Sequence, residues 1–194
     1  MKILRNIPHL HKFVSCLRAF KTNFLMPGFN AGIEVPIGKH WSVAADWYWP
    51  WFWPKDKNEK CYELLGGAVE GRYWFGKDRK NTDRLLGHSI GLYVHSGYYD
   101  LEKGYRGMQG EFVSTGLDYK YALGLGGKKH KKWGHLEFSI GLGYLYSTGR
   151  TYDVPKPGGA LIPDHNVRIV NFFGPTRAEV SLVIPIYKRK EGGK

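Results

Sequence analysis

The chain has 194 residues, 42% hydrophobic and 15% aromatic, with 29 Lys and Arg against 17 Asp and Glu and a formal charge of +12. This composition excludes a chain disordered over most of its length, and two cysteines, Cys16 and Cys61, cannot build a disulfide framework or a cysteine-rich zinc site. No stretch approaches the roughly 18 uninterrupted apolar residues of a membrane helix, whereas a membrane strand needs only about 9–11.

Residues 1–17 read as a leader or the remnant of an export signal. Lys2 and Arg5 precede an apolar stretch, but Pro8, His9, His11 and Lys12 interrupt it. From residue 18 the dominant period is two, which predicts strands. Eight runs follow, at about 18–25, 29–37, 41–49, 65–75, 89–95, 113–123, 136–146 and 177–186. In the second, Ala31, Ile33, Val35 and Ile37 alternate with Asn30, Gly32 and Glu34. In the seventh, Leu136, Phe138, Ile140, Leu142, Tyr144 and Tyr146 alternate with Glu137, Ser139, Gly141 and Gly143. Residues 188–194 form a basic tail.

Alternation does not by itself say which face is buried, because a membrane barrel turns its apolar face to lipid and a soluble one hides it. Volume decides. The interior of an eight-stranded barrel is only just wide enough for side chains, and the Trp, Phe, Tyr, Leu and Ile of the apolar face are too bulky to share it. The opposite face carries Gly, Ala, Ser and charges that can pair. The expected fold is therefore an all-β, eight-stranded antiparallel up-and-down transmembrane β-barrel over residues 18–187, bulky side outward.

The links support this orientation. Gly38–His40, Gly76–Leu86 and Gly126–Lys132 are the shorter turns, and 50–62, 98–110 and 149–173 the longer loops; Met26–Gly28 is an exception. The turn end with both termini carries 16 of the 29 basic residues but three of the 17 acids.

On the small-residue face, Lys21, Arg72, Lys120 and Arg177 meet Glu34, Asp46, Glu70, Asp118, Glu137 and Glu179. Low-dielectric surroundings force such groups to pair, so these ten are expected to form a structural ion network in the lumen. Trp47-Tyr48-Trp49-Pro50-Trp51-Phe52-Trp53-Pro54 is the densest aromatic stretch. Trp41, Trp47, Trp49, Trp51, Trp53 and Tyr144 are expected at the membrane interfaces, where amphipathic rings prefer the headgroup level.

Other motifs carry little. Lys128-Lys129-His130-Lys131-Lys132 reads as a solvated turn, and Gly124-Leu125-Gly126-Gly127-Lys128 lacks the spacing of a phosphate loop. His135-Leu136-Glu137 has no downstream cysteine pair, and His88 and His95 face opposite sides of one strand, so no metal site is expected. His95, Ser96 and Asp100 are the only plausible catalytic cluster, without the spacing of a nucleophile and base.

Several runs resemble a known family. Phe20-Lys21-Thr22-Asn23-Phe24-Leu25, Pro36-Ile37-Gly38-Lys39-His40-Trp41-Ser42-Val43, Glu70-Gly71-Arg72-Tyr73-Trp74-Phe75-Gly76, Gly97-Tyr98-Tyr99-Asp100, Leu136–Tyr144 and Phe173–Leu182 are similar, in order, to the Bacteroidetes family catalogued as domain of unknown function 3575. The resemblance spans about residues 20–187. It implies a small outer-membrane β-barrel and raises an association with fimbria-like surface structures; it supplies no activity, cofactor or catalytic residues. The last strand departs from such barrels, with Tyr187 off phase before Lys188-Arg189-Lys190 instead of an outward terminal aromatic.

The expected function is thus a non-catalytic, monomeric outer-membrane barrel with a plugged polar interior and a structural or surface-interaction role. Its expected partners are membrane lipid and surface or fimbrial proteins. The alternative is a soluble β-barrel holding a hydrophobic ligand. A nucleic-acid binder is disfavoured because the positive charge lies in turns and tails instead of one basic groove.

Overall fold

A computed structural model describes residues 15–23, 30–49, 51–52, 60–76, 85–125, 134–153 and 162–186, with backbone only at 15–23, 51–52, 60–61 and 185. These residues are all β. The strands are β1 (Ser15–Asn23), β2 (Asn30–Ile37), β3 (Trp41–Tyr48), β4 (Trp51–Phe52), β5 (Lys60–Trp74), β6 (Gly87–Lys103), β7 (Arg106–Leu125), β8 (Gly134–Asp153) and β9 (Ile162–Ile186). They form one antiparallel sheet in the order β3-β2-β1-β9-β8-β7-β6-β5-β4, and β3 also pairs with β5. Consecutive strands run up and down.

Eight runs were expected and nine strands occur among the described residues, the extra one being the two-residue β4 against Tyr62 and Glu63 of β5. The strand expected from residue 18 begins at Ser15, inside the segment read as a leader, where Cys16 pairs with Glu34 and Pro185.

The larger correction concerns the long links. Residues 98–110 are not a loop: β6 and β7 stay in register from Tyr98↔Glu111 to Lys103↔Arg106. A two-residue turn at Gly104 and Tyr105 closes the hairpin, with Gly104 at φ +68°, a conformation that a side chain resists. Likewise β8 continues to Asp153 and β9 begins at Ile162, so much of 149–173 is strand. In 50–62, Trp51–Phe52 and residues from Lys60 onward are strand, and residues 53–59 lie outside the described residues. The turn at Gly38–His40 is as expected; most of the Gly76–Leu86 link, the Gly126–Lys132 link and the Met26–Gly28 link lie outside the described residues.

Strand ends are flush at the Gly38 end: Trp41 pairs with Tyr73, Trp74 with Ser89, and Leu125 with Gly134. The difference in length therefore projects at the opposite end. β2 and β3 have 8 residues each, whereas β6 has 17, β7 and β8 have 20 and β9 has 25. At about 3.3 Å per residue, β3 extends ~26 Å and β9 ~80 Å. β5 to β9 thus make a tall wall above a short rim.

Candidate functional site

Alternation sorts the side chains in the sense expected. β2 and β3 bury Gly32, Glu34, Ser42, Ala44 and Asp46 while exposing Ala31, Ile33, Trp41, Val43 and Trp47. Leu92 is 60% and Ile140 59% exposed, whereas Arg72 and Lys120 are both at 0%. Bulky hydrophobes face out and ions face in.

The ions meet in one network. Arg72 chelates Glu70, two residues before it on the same face of β5, through Nε to Oε1 and through a guanidinium nitrogen to Oε2 at 2.9 Å. It also donates to Glu34 at 2.8 Å and Glu137 at 3.3 Å. Lys120 Nζ lies 2.9 Å from Asp118, 3.1 Å from Glu70 and 3.7 Å from Glu137. Arg177 reaches Glu70 at 2.6 Å, Glu179 at 3.1 Å, Asp118 at 3.2 Å and Asp46 at 3.3 Å, and stacks over the Tyr93 ring at 4.9 Å. Glu70 thus touches all three cations. Partners on β2, β3, β5, β7, β8 and β9 converge because the sheet curls with its small-residue face inward. Of the ten residues expected here, nine come together; Lys21 lies in β1 opposite Asn30 and Ser181, and its side chain is outside those described.

Sequence reasoning missed the neutral members. Ser42 donates to Glu34 at 2.5 Å and accepts from Trp74 Nε1 at 2.8 Å. Tyr48 donates to Glu179 at 3.3 Å, and Tyr93 hydrogen-bonds Thr176. Trp74 was legible by parity, standing two residues beyond Arg72. The inner face is also less small than expected, since Trp74, Tyr48, Tyr93 and Phe112 are buried in it. Its glycines make room for neighbours' long side chains. A Cβ on Gly91 would stand 2.5 Å from carboxylate oxygens of both Asp118 and Glu70, and one on Gly116 or Gly143 2.8 Å from the Tyr93 hydroxyl.

The outer face of the β6–β7–β8 sheet is layered. Successive cross-strand rows read His88/Tyr121/Phe138, Ile90/Tyr119/Ile140, Leu92/Leu117/Leu142, Val94/Thr115/Tyr144 and Ser96/Val113/Tyr146, then Tyr98/Glu111/Thr148 and Asp100/Gln109/Arg150. An aromatic row, His88/Tyr121/Phe138, lies on one side of the aliphatic centre, and Tyr144 and Tyr146 of β8 and Tyr98 of β6 lie on the other; charge begins at Glu111 on β7 and one row further on at Asp100 and Arg150. Trp41 and Trp47 are exposed near opposite ends of β3 and Trp49 just beyond it, while Tyr144 is exposed near the polar boundary. Trp41 packs edge-on against Tyr73 at 5.2 Å and Trp47 against Trp49 at 6.5 Å. The Trp51 side chain and all of Trp53 lie outside the description.

Above this boundary, partial burial and the facing Asp100 raise the pKa of Glu63. His95 is buried on the inner face while its neighbour Ser96 is exposed on the outer, so the residues considered as a catalytic cluster do not converge. Among the described residues no group of three His, Cys, Asp or Glu is placed to hold a metal.

No curated protein and no solved structure matches the chain. A family described as protein of unknown function (DUF3575) matches residues 9–186. With the match covering nearly the whole sequence, the chain belongs to that family.

Proposed function

We propose that the protein is a non-catalytic outer-membrane β-barrel, of eight strands closed on themselves, whose ion-filled lumen is a structural plug and whose tall wall is the working surface. The carrying observation is the layering of the exposed face, with one aromatic row across β6, β7 and β8, an aliphatic centre, aromatics again on β8 and β6, and charge within the next two rows on all three strands. That is the order of headgroup, hydrocarbon and headgroup layers. From His88 to Ser96 the belt runs about 26 Å along the strand, matching the span of a membrane strand. Pairing of β1 with β9 and of β3 with β5 supports closure, since it gives every strand except the two-residue β4 a neighbour on each edge along its lower part.

The buried ions favour a plug over a pore. Side chains of Arg72, Lys120 and Arg177 span the interior, each held by at least three carboxylates. A soluble barrel enclosing a hydrophobic ligand calls for the reverse arrangement, with Leu92 and Ile140 inside and the ions in water. The resemblance to small Bacteroidetes outer-membrane barrels adds a working association with fimbria-like surface proteins, with the protein itself a monomer.

Cell fractionation with external protease tests this reading. The protein is expected in the outer membrane, to be cut in intact cells only in the wall and its connections, and to migrate faster in gels unless boiled. A detergent-free soluble monomer without that shift would overturn it.

A further inference from the structure

Among the described residues, the upper part of β9 has one covered edge and one open edge. β8 pairs along β9 from Val183 to Ile162, whereas β1 covers the other edge only from Glu179 to Ile186. Above Glu179 no described strand lies on the β1 side. Register irregularities at Gly141/Leu142 and at Arg150/Tyr152 bound a regular stretch, from Val167 opposite Arg150 to Pro175 opposite Leu142. Within it, Val167-Arg168-Ile169-Val170-Asn171-Phe172-Phe173 is rich in β-branched and aromatic residues, holds one charge and contains neither Pro nor Gly; Gly174 and Pro175 end the stretch. Every one of these residues is exposed, Phe173 to 80%. Sheets ordinarily guard such an edge with proline, charge or a bulge. Pro163, Asp164 and the irregularity near Tyr152 guard the tip, and Pro175 and the irregularity at Gly141/Leu142 the lower end, which leaves Val167–Phe173 between them unguarded.

We propose that the edge of Val167–Phe173 is a docking site for an extended segment of a partner protein, which adds to the sheet as a strand and lays alternate apolar side chains against Val170 and Phe172. This deepens the proposed surface role and rests on that reading. An open row of backbone donors and acceptors is satisfied by another extended backbone, which lipid does not supply. A second copy in the same membrane does not fit. Antiparallel pairing of two β9 edges needs a two-fold axis perpendicular to the sheet, and with the sheet standing along the membrane normal that axis inverts one copy relative to the bilayer. Parallel pairing about an axis along the strands sets N–H against N–H.

The test is amide hydrogen exchange on the full chain in detergent micelles, alone and with the synthetic peptide Thr-Val-Thr-Val-Thr-Val-Thr-Val-Thr. In the free protein, alternate amides of Val167–Phe173, those aimed away from β8, should exchange fast while their neighbours stay slow. The peptide, at on the order of 1 mM, should slow the fast set roughly tenfold or more. Proline at Ile169 or at Val170 removes one N–H each, and only one of the two points to β8; the variant sparing β8 should keep heat-modifiable migration and lose the peptide effect. Uniformly slow exchange before peptide would mean the chain covers its own edge and would overturn the proposal, as would exchange unmoved by peptide. Loss of the heat shift in the unaltered protein strikes instead at the barrel reading, which keeps the two failures apart.

Discussion

Along β8, two stretches of one strand obey different rules. From Leu136 to Tyr146 the outer positions are uniformly bulky and apolar, and the inner positions are Glu137, Ser139, Gly141, Gly143 and Leu145. From Ser147 to Asp153 the outer positions turn to Thr148 and Arg150, and the alternation of chemistry ends although the hydrogen-bonded ladder with β7 does not. The lower stretch is ordered by a contrast of environments, a bulky apolar surface outside and ions within. The upper one is held by strand pairing with water available on its surfaces. Stability should therefore reside in the lower stretch around the ion network and tolerance in the wall.

The most damaging change should be Arg72→Leu. It leaves Glu34, Glu70 and Glu137 short of a buried counter-charge, and breaking a pair in such surroundings costs about 3–5 kcal/mol. Thermal unfolding in detergent reads this directly, and an unchanged melting temperature would break the comparison at its strong end. Next is Gly91→Val, which drives a side chain onto the carboxylates of Glu70 and Asp118 and should cost about 1–3 kcal/mol. By contrast, replacing Leu101–Met108 with Asn-Gly removes the tip of the β6–β7 hairpin. That should leave heat-modifiable migration intact and change stability by less than about 1 kcal/mol.

This division also explains what could be read from the sequence. Ile33 and Glu34, or Leu92 and Tyr93, announce their faces because neighbouring positions differ so strongly in chemistry. Tyr98–Gly110 and Ile162–Phe173 announce nothing comparable: without an apolar exterior against a polar interior, a strand carries no period-two signal. The ion network was legible as a set of residues on one face, nine of the ten expected, but not as a geometry. That Arg177 meets Glu70 and Asp46, 107 and 131 residues earlier, depends on register between distant strands. Parity puts Trp74 and Tyr93 on the inner face, but how a narrow interior holds them was not legible, since spacing along one strand does not show which glycines lie opposite on another.

The smallest effect sharpens the upper region. The pKa of Glu63 is raised by partial burial and by Asp100 across the strand pair. Its contribution to stability is therefore full below the ordinary carboxylate range and is lost as pH rises through the folded-state value. Glu63→Gln should consequently stabilise the wall at neutral pH and do nothing in acid. The gain is at most roughly a few tenths of a kcal/mol, because solvent screens so exposed a group. Local exchange of the β5–β6 amides against pH measures it.

The central claim, apolar outside and ionic inside, is tested most directly by spin labels on cysteines placed singly at Leu92, Ile140 and Asp100, with Cys16 and Cys61 replaced by serine, in lipid vesicles. Labels at Leu92→Cys and Ile140→Cys should collide with lipid-soluble oxygen far more than with a water-soluble nickel chelate, and the label at Asp100→Cys should show the opposite preference. Nickel-dominated collisions at Leu92 and Ile140 would contradict the account.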